Sequence, residues 1–366
     1  MRSRAALGSL LVALLAGQVP AQDPAGEAPG PDAATAQATR RVLAALGPSL
    51  VEVEALGGLE EEFKAPGSEA EAKEQGGILT RGGFKQAWGP TTGLVVREDG
   101  LVLTTSFALH REPRHLIVTL CDGRSFVARA LGRDDARGLV LLKVEAKGLP
   151  VPPLASAEAL KVGRGALALG RGLGHPRGAP TVSAGIVSGL GRVGGRAIQT
   201  SAAVSPMNYG GALASIDGQV LGLLVPLALD GGMASVDIYD SGIGFAIPAP
   251  ELLRILPRLI KGEHLKPGFV GIEPDRLSRD GVRVSSVVPG SPAAAAGIVA
   301  GDVVLEADQV KTDFAWQLRR ALGALSAGDP VVLTVRRGTT SRSVELRLAD
   351  VPPPQREAPG PPEEDR

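Results

Sequence analysis

Two short apolar runs joined by a turn occupy residues 94–105, which read Leu-Val-Val-Arg-Glu-Asp-Gly-Leu-Val-Leu-Thr-Thr. The apolar and β-branched residues favour strands over Leu94–Arg97 and Leu101–Thr105. Between them, Glu98-Asp99-Gly100 has the composition of a tight turn. This stretch therefore predicts two short strands of a β-rich domain.

Similar strands follow over the next part of the chain, separated by turn signals such as Asp122-Gly123 and Asp217-Gly218. They cover Leu116–Cys121, Phe126–Leu131, Leu139–Val144, Ala166–Leu169, Thr181–Val187, Ala197–Thr200, Val220–Val225 and Ile243–Ile247. Ten or so short strands over about 150 residues, with almost no helix, predict closed antiparallel barrels. The amphipathic stretch Ala249–Lys261 predicts a helix that closes this domain.

The composition is typical of a mainly β protein with more than one domain. At 366 residues the chain is long enough for two or three domains. Aromatic residues are only 3%, whereas there are 49 Gly and 29 Pro, so the cores must consist mainly of Val, Leu, Ile and Ala, with many turns between elements. The 39 basic and 39 acidic residues give a formal net charge of zero. No overall electrostatic field therefore attracts the protein to nucleic acid or to an anionic membrane.

In the C-terminal part, residues 263–350, predicted strands alternate with short helices, which predicts an α+β domain. Four strands are predicted near residues 282–288, 303–306, 331–336 and 343–348. One short helix follows Ser291-Pro292, which suit an N-cap and a first helical position, and a second covers about Asp313–Leu325. The proline-rich and acidic tail, residues 351–366, is predicted to be disordered.

The N-terminal residues predict an exported protein. Basic residues precede an apolar run over Ala5–Ala16, and Val19-Pro20-Ala21 is typical of a signal-peptide cleavage site, so residues 1–21 are interpreted as a signal peptide. An uncleaved membrane anchor is the alternative, although the run is shorter than the roughly 20 residues that span a bilayer. No later segment is apolar enough to span, which indicates a periplasmic or extracellular location after cleavage.

Beyond the signal peptide, residues 22–36 predict a flexible leader, because Ala, Pro, Gly and acidic residues dominate them. A short helix over Gln37–Leu46 and a strand over Leu50–Val53 then begin the barrel region, residues 37–262. The charged, Gly-rich residues 55–90 show no periodicity and predict a long surface loop.

Seven segments form a specific series along the mature chain. They read Val118-Thr-Leu-Cys-Asp-Gly-Arg124, Leu131-Gly-Arg-Asp134, Leu141-Leu-Lys-Val144, Val182-Ser-Ala-Gly-Ile-Val-Ser188, Gly242-Ile-Gly-Phe-Ala-Ile-Pro248, Val288-Pro-Gly-Ser-Pro-Ala-Ala294 and Gly301-Asp-Val-Val304. Taken in this order, from about residue 37 to 349, they resemble the HtrA/Deg family of serine proteases. The resemblance implies a trypsin-like double β-barrel followed by one PDZ domain, and in the family the reaction is hydrolysis of unfolded polypeptides.

The family's three catalytic positions carry other residues in this chain. The resemblance places the histidine at Phe107, the aspartate at Gly138 and the serine at Tyr209, in a loop that reads Met-Asn-Tyr-Gly-Gly over residues 207–211. Acyl transfer needs a nucleophile, a general base and a group that orients the base. Phe cannot accept a proton, Gly carries no charge, and a phenol with a pKa near 10 is a poor nucleophile without a base. The prediction is a pseudoprotease without catalytic residues.

Other residues leave a second interpretation open, a working serine endopeptidase with an unorthodox site. His110 lies shortly after Phe107, and Ser106, Ser201 and Ser205 are nearby hydroxyls. This alternative requires His110 to approach a serine to about 3 Å. The other histidines, His115, His175 and His264, show no metal-ligand spacing, so neither a metal nor another cofactor is expected.

The resemblance also implies a peptide-binding groove in the PDZ domain. Phe269, Val270, Gly271 and Ile272 resemble the loop whose backbone N–H groups bind a C-terminal carboxylate, with the following strand edge pairing with the peptide. Leucines at helical spacing, Leu318 and Leu322 with Leu325, are expected to form the opposite wall. The alternative is that these leucines only fill the core and that the loop only begins a strand.

Together these features predict a non-catalytic HtrA-like protein of the cell envelope. Its expected partners are protein or peptide C-termini and unfolded polypeptides, which it would bind as an adaptor, a chaperone-like holder or a regulatory subunit. Assembly as a homo-trimer, or with active homologues, is compatible with the family.

Overall fold

The computed structural model describes residues 31–57, 90–109, 113–172, 178–227, 241–275 and 280–352. The predicted signal peptide, most of the predicted leader, most of the predicted loop 55–90 and nearly all of the predicted tail lie outside these ranges. The described chain is mainly β, with two closed barrels followed by a smaller C-terminal unit.

The first barrel consists of six antiparallel strands. They are β1 (Leu50–Leu56), β2 (Thr91–Arg97), β3 (Leu101–Thr105), β4 (His115–Thr119), β5 (Ser125–Asp134) and β6 (Leu139–Lys143). Their order is β1-β2-β3-β6-β5-β4, and pairing of β4 with β1 closes the barrel. Valines and leucines such as Val51, Val102 and Leu142 alternate into its interior, which agrees with the strand periodicity of the sequence.

The second barrel also has six strands and closes on itself. They are β7 (Gly165–Gly170), β8 (Thr181–Arg192), β9 (Ala197–Thr200), β10 (Ala212–Ser215), β11 (Val220–Val225) and β12 (Gly244–Pro248). Their order is β7-β8-β9-β12-β11-β10, with β10 pairing back to β7. Strand β10 was not among the predicted strands, because Ala-Leu-Ala-Ser carries no β-branched or aromatic residue.

Two helices flank the barrels. Helix α1 (Pro31–Leu46) begins at Pro31 rather than at the predicted Gln37, and helix α2 (Ala249–Ile260) agrees closely with its prediction. Leu46 from α1 and Leu252 from α2 are buried in one apolar core with residues of both barrels. None of the described helices has the length and apolar character needed to cross a bilayer.

The C-terminal unit is an α+β fold with its own core. Its elements are β14 (Gly268–Phe269), β15 (Ile272–Pro274), β16 (Val282–Val287), α3 (Pro292–Ala295), β17 (Val303–Ala307), β18 (Val310–Lys311), α4 (Ala315–Gly323), β19 (Pro330–Arg337), β20 (Thr340–Arg347) and β21 (Ala349–Asp350). Just before it, β13 (His264–Leu265) pairs in parallel with β5, so barrel pairing extends past the predicted boundary at residue 262. Strand order β15-β16-β17-β19-β20 leaves β15 at the edge of the sheet.

A buried arginine joins the first barrel to the C-terminal unit. Arg137 lies in the turn between β5 and β6 and is 0% exposed. Its Nη1 donates to Asp134 Oδ2 at 2.7 Å and to Ser326 Oγ at 3.2 Å. Its Nε donates to Glu251 Oε1 at 2.8 Å, and its Nη2 donates to the Ala324 carbonyl. One side chain thus bonds the barrel turn, helix α2 and the segment after α4.

Two arginines of helix α2 add hydrogen bonds between the barrels and the C-terminal unit. Arg254 Nη2 donates to the Ala324 carbonyl at 2.8 Å, and Arg258 Nη1 donates to Asp329 Oδ1 at 2.7 Å. Asp329 in turn accepts a hydrogen bond of 2.8 Å from the Ser326 backbone N–H. The C-terminal unit is therefore bonded to the barrels by a charged network rather than only by a linker.

Glu251 makes this network sensitive to acid. Burial, the largest influence, would raise the pKa of Glu251, but the hydrogen bonds and charges of Arg254 and Arg137 outweigh it and hold that pKa below its ordinary value. Such a carboxylate stabilises the folded protein above its unfolded-state pKa, about 4.3, and this contribution is lost as the pH falls through the folded-state pKa. We expect Glu251→Gln to destabilise the protein most near neutral pH, with the difference from wild type shrinking in acid. Urea titrations across this pH range measure it, and a difference that does not change with pH would contradict the assignment.

Candidate functional site

Two aromatic rings occupy the region where the sequence places the base and the nucleophile. Phe107 lies in the 3₁₀ turn Ser106–Leu109 after β3, and Tyr209 follows the 3₁₀ turn Pro206–Asn208. Their ring centroids are 5.5 Å apart at an interplanar angle of 73°, an edge-to-face contact. Each residue is 2% exposed, so the rings are in contact with the interior of the second barrel rather than with solvent.

Gly138 stands where the resemblance places the catalytic aspartate. The Ser106 N–H donates to the Gly138 carbonyl at 2.8 Å, so Gly138 adjoins the turn that carries Phe107. Its φ is +66°, and a Cβ built on it would lie 3.5 Å from Ser106 Oγ. Gly138 is thus bonded to the turn that carries Phe107, and the Phe107 ring in turn contacts Tyr209. A benzyl ring, a hydrogen atom and a phenol are the side chains at these positions, and none of them accepts a proton at neutral pH.

Backbone contacts with the first barrel fix the loop that carries Tyr209. Thr92 Oγ1 donates to the Met207 carbonyl at 2.7 Å, and the Thr92 N–H donates to the Tyr209 carbonyl at 3.1 Å. On the other side, the Gly210 N–H donates to the Leu224 carbonyl at 2.8 Å. The loop is thus bonded to β2 and to β11, which holds the Tyr209 ring in place.

Little space remains beside Tyr209. A cavity of about 10 Å³ lies against its ring and is lined also by Val204, Val225, Leu227 and Phe245. A cavity of this size is near the minimum that holds one water molecule.

The serines of the alternative site are engaged elsewhere or lack a described base. Ser201 Oγ accepts the Ile186 N–H at 3.1 Å. The Ser205 N–H donates to Asn208 Oδ1 at 2.8 Å, and the Ser205 carbonyl accepts the Asn208 N–H at 3.0 Å, so the Ser205 backbone belongs to the 3₁₀ turn. His110, on which that alternative depends, lies outside the described residues. In the described ranges the histidines are His115 and His264, and neither is hydrogen-bonded to a serine.

His264 pairs with a carboxylate rather than with other metal-ligating side chains. His264 Nε2 lies 2.6 Å from Asp135 Oδ2 in a half-exposed pair at the β13–β5 pairing. Across the described ranges no three His, Cys, Asp or Glu side chains are grouped so that they could hold a metal ion.

The C-terminal unit carries an open strand edge beside a glycine loop. The Val288 N–H donates to the Gly271 carbonyl at 2.9 Å, which makes Ile272 and Val287 a non-hydrogen-bonded pair of the β15–β16 ladder. The N–H and C=O of Ile272 therefore point away from β16, toward the edge of the sheet. Among the described strands none pairs with that edge.

The glycine loop supplies backbone donors at the end of this edge. The Val270 carbonyl accepts from the Ala293 N–H at 3.0 Å, which fixes the loop against α3. Within the described residues the N–H groups of Val270 and Gly271 donate to no other protein group. Gly271 has a φ of +81°, and a Cβ built on it would lie 2.1 Å from Ser291 Cβ, so only glycine fits here.

Helix α4 faces this edge with apolar side chains. Leu318 is 4% exposed and belongs to the core of the unit, and Leu322 is partly buried against the same core. Val270 and Ile272 are partly buried against it as well, whereas Phe269 pairs with Ala349 of β21. Leu318 therefore fills the core, and Val270, Ile272 and Leu322 are the apolar members of the predicted set that lie against this core and stay partly exposed.

Comparison with known proteins identifies the chain. The family models of a trypsin-like peptidase domain and of a PDZ domain match residues 91–223 and 268–348. The periplasmic serine endoprotease DegP of Escherichia coli (strain K12) is 33% identical over 300 residues, which cover 75% of this chain and 60% of that protein. The chain belongs to the HtrA/Deg family. A probable periplasmic DegP-like serine endoprotease of Halomonas elongata is 32% identical over 287 residues, 74% of this chain and 58% of that relative.

Two solved protease structures share the fold. A serine endoprotease from Yersinia pestis matches with a TM-score of 0.59 at 24% identity, covering 89% of this chain and 100% of that one. The HtrA-type protease AlgW with a tripeptide matches with a TM-score of 0.62 at 25% identity, covering 86% and 98%. This HtrA chain spans about three fifths of the length of the two DegP relatives.

Sequence reasoning missed the contacts that fix the HtrA domains to one another. Arg137 follows Asp134 and Asp135 in a charged turn, which is typical of a solvated surface. Its burial depends on residues more than a hundred positions away, and no local pattern signals such contacts. The strand edge at β15, by contrast, was expected, because the resemblance of residues 269–272 to a carboxylate-binding loop implies a following strand edge that pairs with a peptide.

The contact between Phe107 and Tyr209 gives a direct test of the closed site. An edge-to-face aromatic pair contributes about 0.5–1.5 kcal/mol beyond the burial of its area. We expect a double-mutant cycle of Phe107→Leu and Tyr209→Leu to show a coupling free energy of this size, measured by urea unfolding. Additive effects of the two substitutions would show that the rings do not stabilise one another.

Proposed function

We propose that this HtrA protein binds the C-terminal segments of polypeptides through its PDZ domain and does not hydrolyse them. In this role it acts as an adaptor, a chaperone-like holder of unfolded chains or a regulatory subunit. The observation that carries the proposal is the buried contact of Phe107 with Tyr209, because two apolar-packed rings lie at the positions that the family resemblance gives to the base and the nucleophile.

Proton transfer supports the absence of catalysis. A serine protease reaction needs a base within hydrogen-bond reach of the nucleophile and a carboxylate that orients that base. Phe107 and Gly138 offer neither group, and the Tyr209 phenol lies in the core of the second barrel. If these residues hold the family's catalytic positions, the substitutions remove all three roles.

The geometry of the PDZ domain supports peptide binding. The open edge of β15 can accept an extended peptide as an added strand, with the carboxylate at the Val270 and Gly271 N–H groups. Val270, Ile272 and Leu322 offer an apolar surface for the terminal side chain. The solved structure of AlgW, a 25% identical HtrA-type protease, contains a tripeptide.

Location and assembly follow from the relatives. The DegP proteins are named periplasmic, and the N-terminal residues of this chain predict a signal peptide, so we place the mature protein in the cell envelope. We propose a homo-trimer or a mixed oligomer with active homologues. Co-purification of the tagged chain with an active HtrA protein from the same envelope would distinguish the regulatory subunit from the independent adaptor.

A serine endopeptidase is the second candidate, because the relatives are named serine endoproteases. It requires a base from outside the described residues, such as His110, together with movement of Tyr209 out of the core. Hydrolysis of an unfolded protein separates the two candidates.

Peptide binding is tested with ten-residue fluorescent peptides that end in Ala-Leu-Val. One version carries a free carboxylate and the other an amide. We expect the mature protein to bind the free acid at least about tenfold more tightly in fluorescence anisotropy, because the amide loses the charge-assisted hydrogen bonds to the loop. Leu322→Glu should weaken binding of the free acid, and Leu253→Glu, at an exposed position on α2, should not. Equal affinities for acid and amide would contradict the proposal.

A further inference from the structure

A patch of exposed arginines lies where the second barrel meets helix α4. Its three members are Arg192 of β8 and Arg319 and Arg320 of α4. The backbone of the turn between β8 and β9 contacts the backbone of the helix at this junction. A Cβ built on Gly323 would lie 1.8 Å from the Gly194 carbonyl oxygen, and one built on Gly195 would lie 2.2 Å from the Arg320 carbonyl oxygen. Glycines on both sides therefore allow this close approach.

The Arg320 side chain lies along the turn between β8 and β9. A Cβ built on Gly195 would lie 3.1 Å from Arg320 Cγ. One built on Gly191 would lie 2.7 Å from Nε and 2.8 Å from Cζ of the same arginine. The stem of Arg320 thus packs against one glycine, and its guanidinium group packs against the other.

The guanidinium group of Arg192 lies in the same region. The β8–β9 ladder has a bulge between Gly189 and Arg192, whose partners in β9 are two residues apart. Directly paired residues share a face of a ladder, so Gly189 and Arg192 lie on one face. Arg192 Nε would lie 2.6 Å from a Cβ built on Gly189. Because Gly191, which contacts the Arg320 guanidinium group, adjoins Arg192 in the chain, the two cationic groups occupy adjacent parts of the surface.

The patch has no acidic partner, although the arginines of the neighbouring domain contact do. The ion pairs of that contact are Arg137–Asp134, Arg137–Glu251, Arg254–Glu251, Arg258–Glu263 and Arg258–Asp329. Within the described ranges no ion pair or side-chain hydrogen bond includes Arg192, Arg319 or Arg320. Like charges on adjacent parts of a surface repel one another, and a bound anion would offset that repulsion.

We propose that Arg192 and Arg320, with Arg319 beside them, bind a phosphate group at the junction of the second barrel and α4. Arginine suits this ligand, because its planar guanidinium group can donate two parallel hydrogen bonds to phosphate oxygens. A phosphate group carries several acceptor oxygens, so it can bind two guanidinium groups that come from different elements. Its source is either a free polyphosphate anion or the headgroup of an anionic phospholipid.

This site is separate from the proposed peptide groove. Arg320 is two residues from Leu318, which places it about 160° around the helix from the side chain that fills the core. Trp316 lies one turn before Arg320 on the same side of α4, and it is 58% exposed. Its fluorescence therefore reports on the arginine patch. Failure of this inference would leave the proposed peptide binding standing.

The test uses the mature protein with Trp88→Phe, which leaves Trp316 as its only tryptophan. Sodium tripolyphosphate is titrated at an ionic strength held constant with sodium chloride. Vesicles of phosphatidylcholine, with and without phosphatidylglycerol, form the second arm. We expect a saturable change in Trp316 fluorescence, with an affinity that Arg192→Gln combined with Arg320→Gln lowers by about tenfold or more. In about 1 M salt, where the Debye length is about 3 Å, most of the response should disappear.

Arg129→Gln combined with Arg283→Gln is the matched control. It removes two exposed arginines that form no ion pair in the described part of the chain, and it should leave the response unchanged. Circular dichroism confirms that each variant is folded. A response to tripolyphosphate assigns a free phosphate, and a response only to vesicles with phosphatidylglycerol assigns a lipid headgroup. No response in either arm, or an equal loss in the two double variants, would overturn the site.

Discussion

Replacing Arg137 with methionine is expected to lower the free energy of unfolding by about 3–5 kcal/mol, because it leaves buried carboxylates without their partner. Asp134 is 0% exposed and faces Arg137 at 2.7 Å. Burial, the largest influence, raises the pKa of Asp134 against the opposing effect of Arg137. Loss of the guanidinium therefore leaves a carboxylate that must take up a proton or reach water. Urea unfolding of the mature protein measures the change.

A matched control lies four residues earlier. Arg133 pairs with Asp135 at the surface, with a half-exposed side chain, so Arg133→Met is expected to change stability by less than about 1 kcal/mol. The double substitution Arg137→Met and Asp134→Leu removes both buried charges and should recover part of the loss. Equal effects of Arg137→Met and Arg133→Met would show that Arg137 is not a buried link between the domains.

Gly271→Ala is expected to reduce the affinity for a free-acid C-terminal peptide by about thirtyfold or more, since the added methyl group forces the loop to move. The new Cβ would lie 2.1 Å from Ser291 Cβ, at a φ of +81°. Two penalties combine, a left-handed backbone conformation at a non-glycine residue and a steric overlap with the cap of α3. Anisotropy titration of the Ala-Leu-Val peptide measures the loss.

Gly290→Ala is the matched control for this glycine. Gly290 has a φ of +73°, but a Cβ there meets no atom within 4 Å. It should cost about 1–2 kcal/mol of stability through the backbone alone and leave peptide affinity nearly unchanged. Circular dichroism confirms that each variant is folded before it is titrated. A folded Gly271→Ala protein with wild-type affinity would show that the loop does not bind the carboxylate.

Much of the fold could be predicted because strand periodicity is local. The predicted bounds of the strands Leu101–Thr105, Ala197–Thr200 and Val220–Val225 agree with the structure, since these runs are rich in β-branched or long apolar residues between clear turns. The turn Asp308-Gln309 is harder to foresee. Both residues have positive φ without glycine, and Asp308 Oδ1 accepts the Val332 N–H at 2.9 Å, a bond from a distant strand.

The residue types at the candidate site can be read from the sequence, but their packing cannot. Phe107, Gly138 and Tyr209 provide no imidazole, no carboxylate and no serine hydroxyl, and their assignment to the family's catalytic positions stays a prediction. The edge-to-face contact of the two rings and the bonds from Thr92 to the loop join different barrels, and such contacts have no local signal. The same holds for Leu318, whose helical spacing suits either the core or the groove wall.

Hydrolysis of unfolded casein, combined with labelling by a serine-reactive fluorophosphonate, tests the central claim most directly. Purified mature protein is compared with Escherichia coli DegP as an active control. The account predicts neither turnover above buffer nor labelling of this chain, because Phe107 and Gly138 supply no base and no orienting carboxylate, and the Tyr209 ring is buried against Phe107. Turnover or labelling that disappears in Ser106→Ala, Ser201→Ala or Ser205→Ala would contradict it.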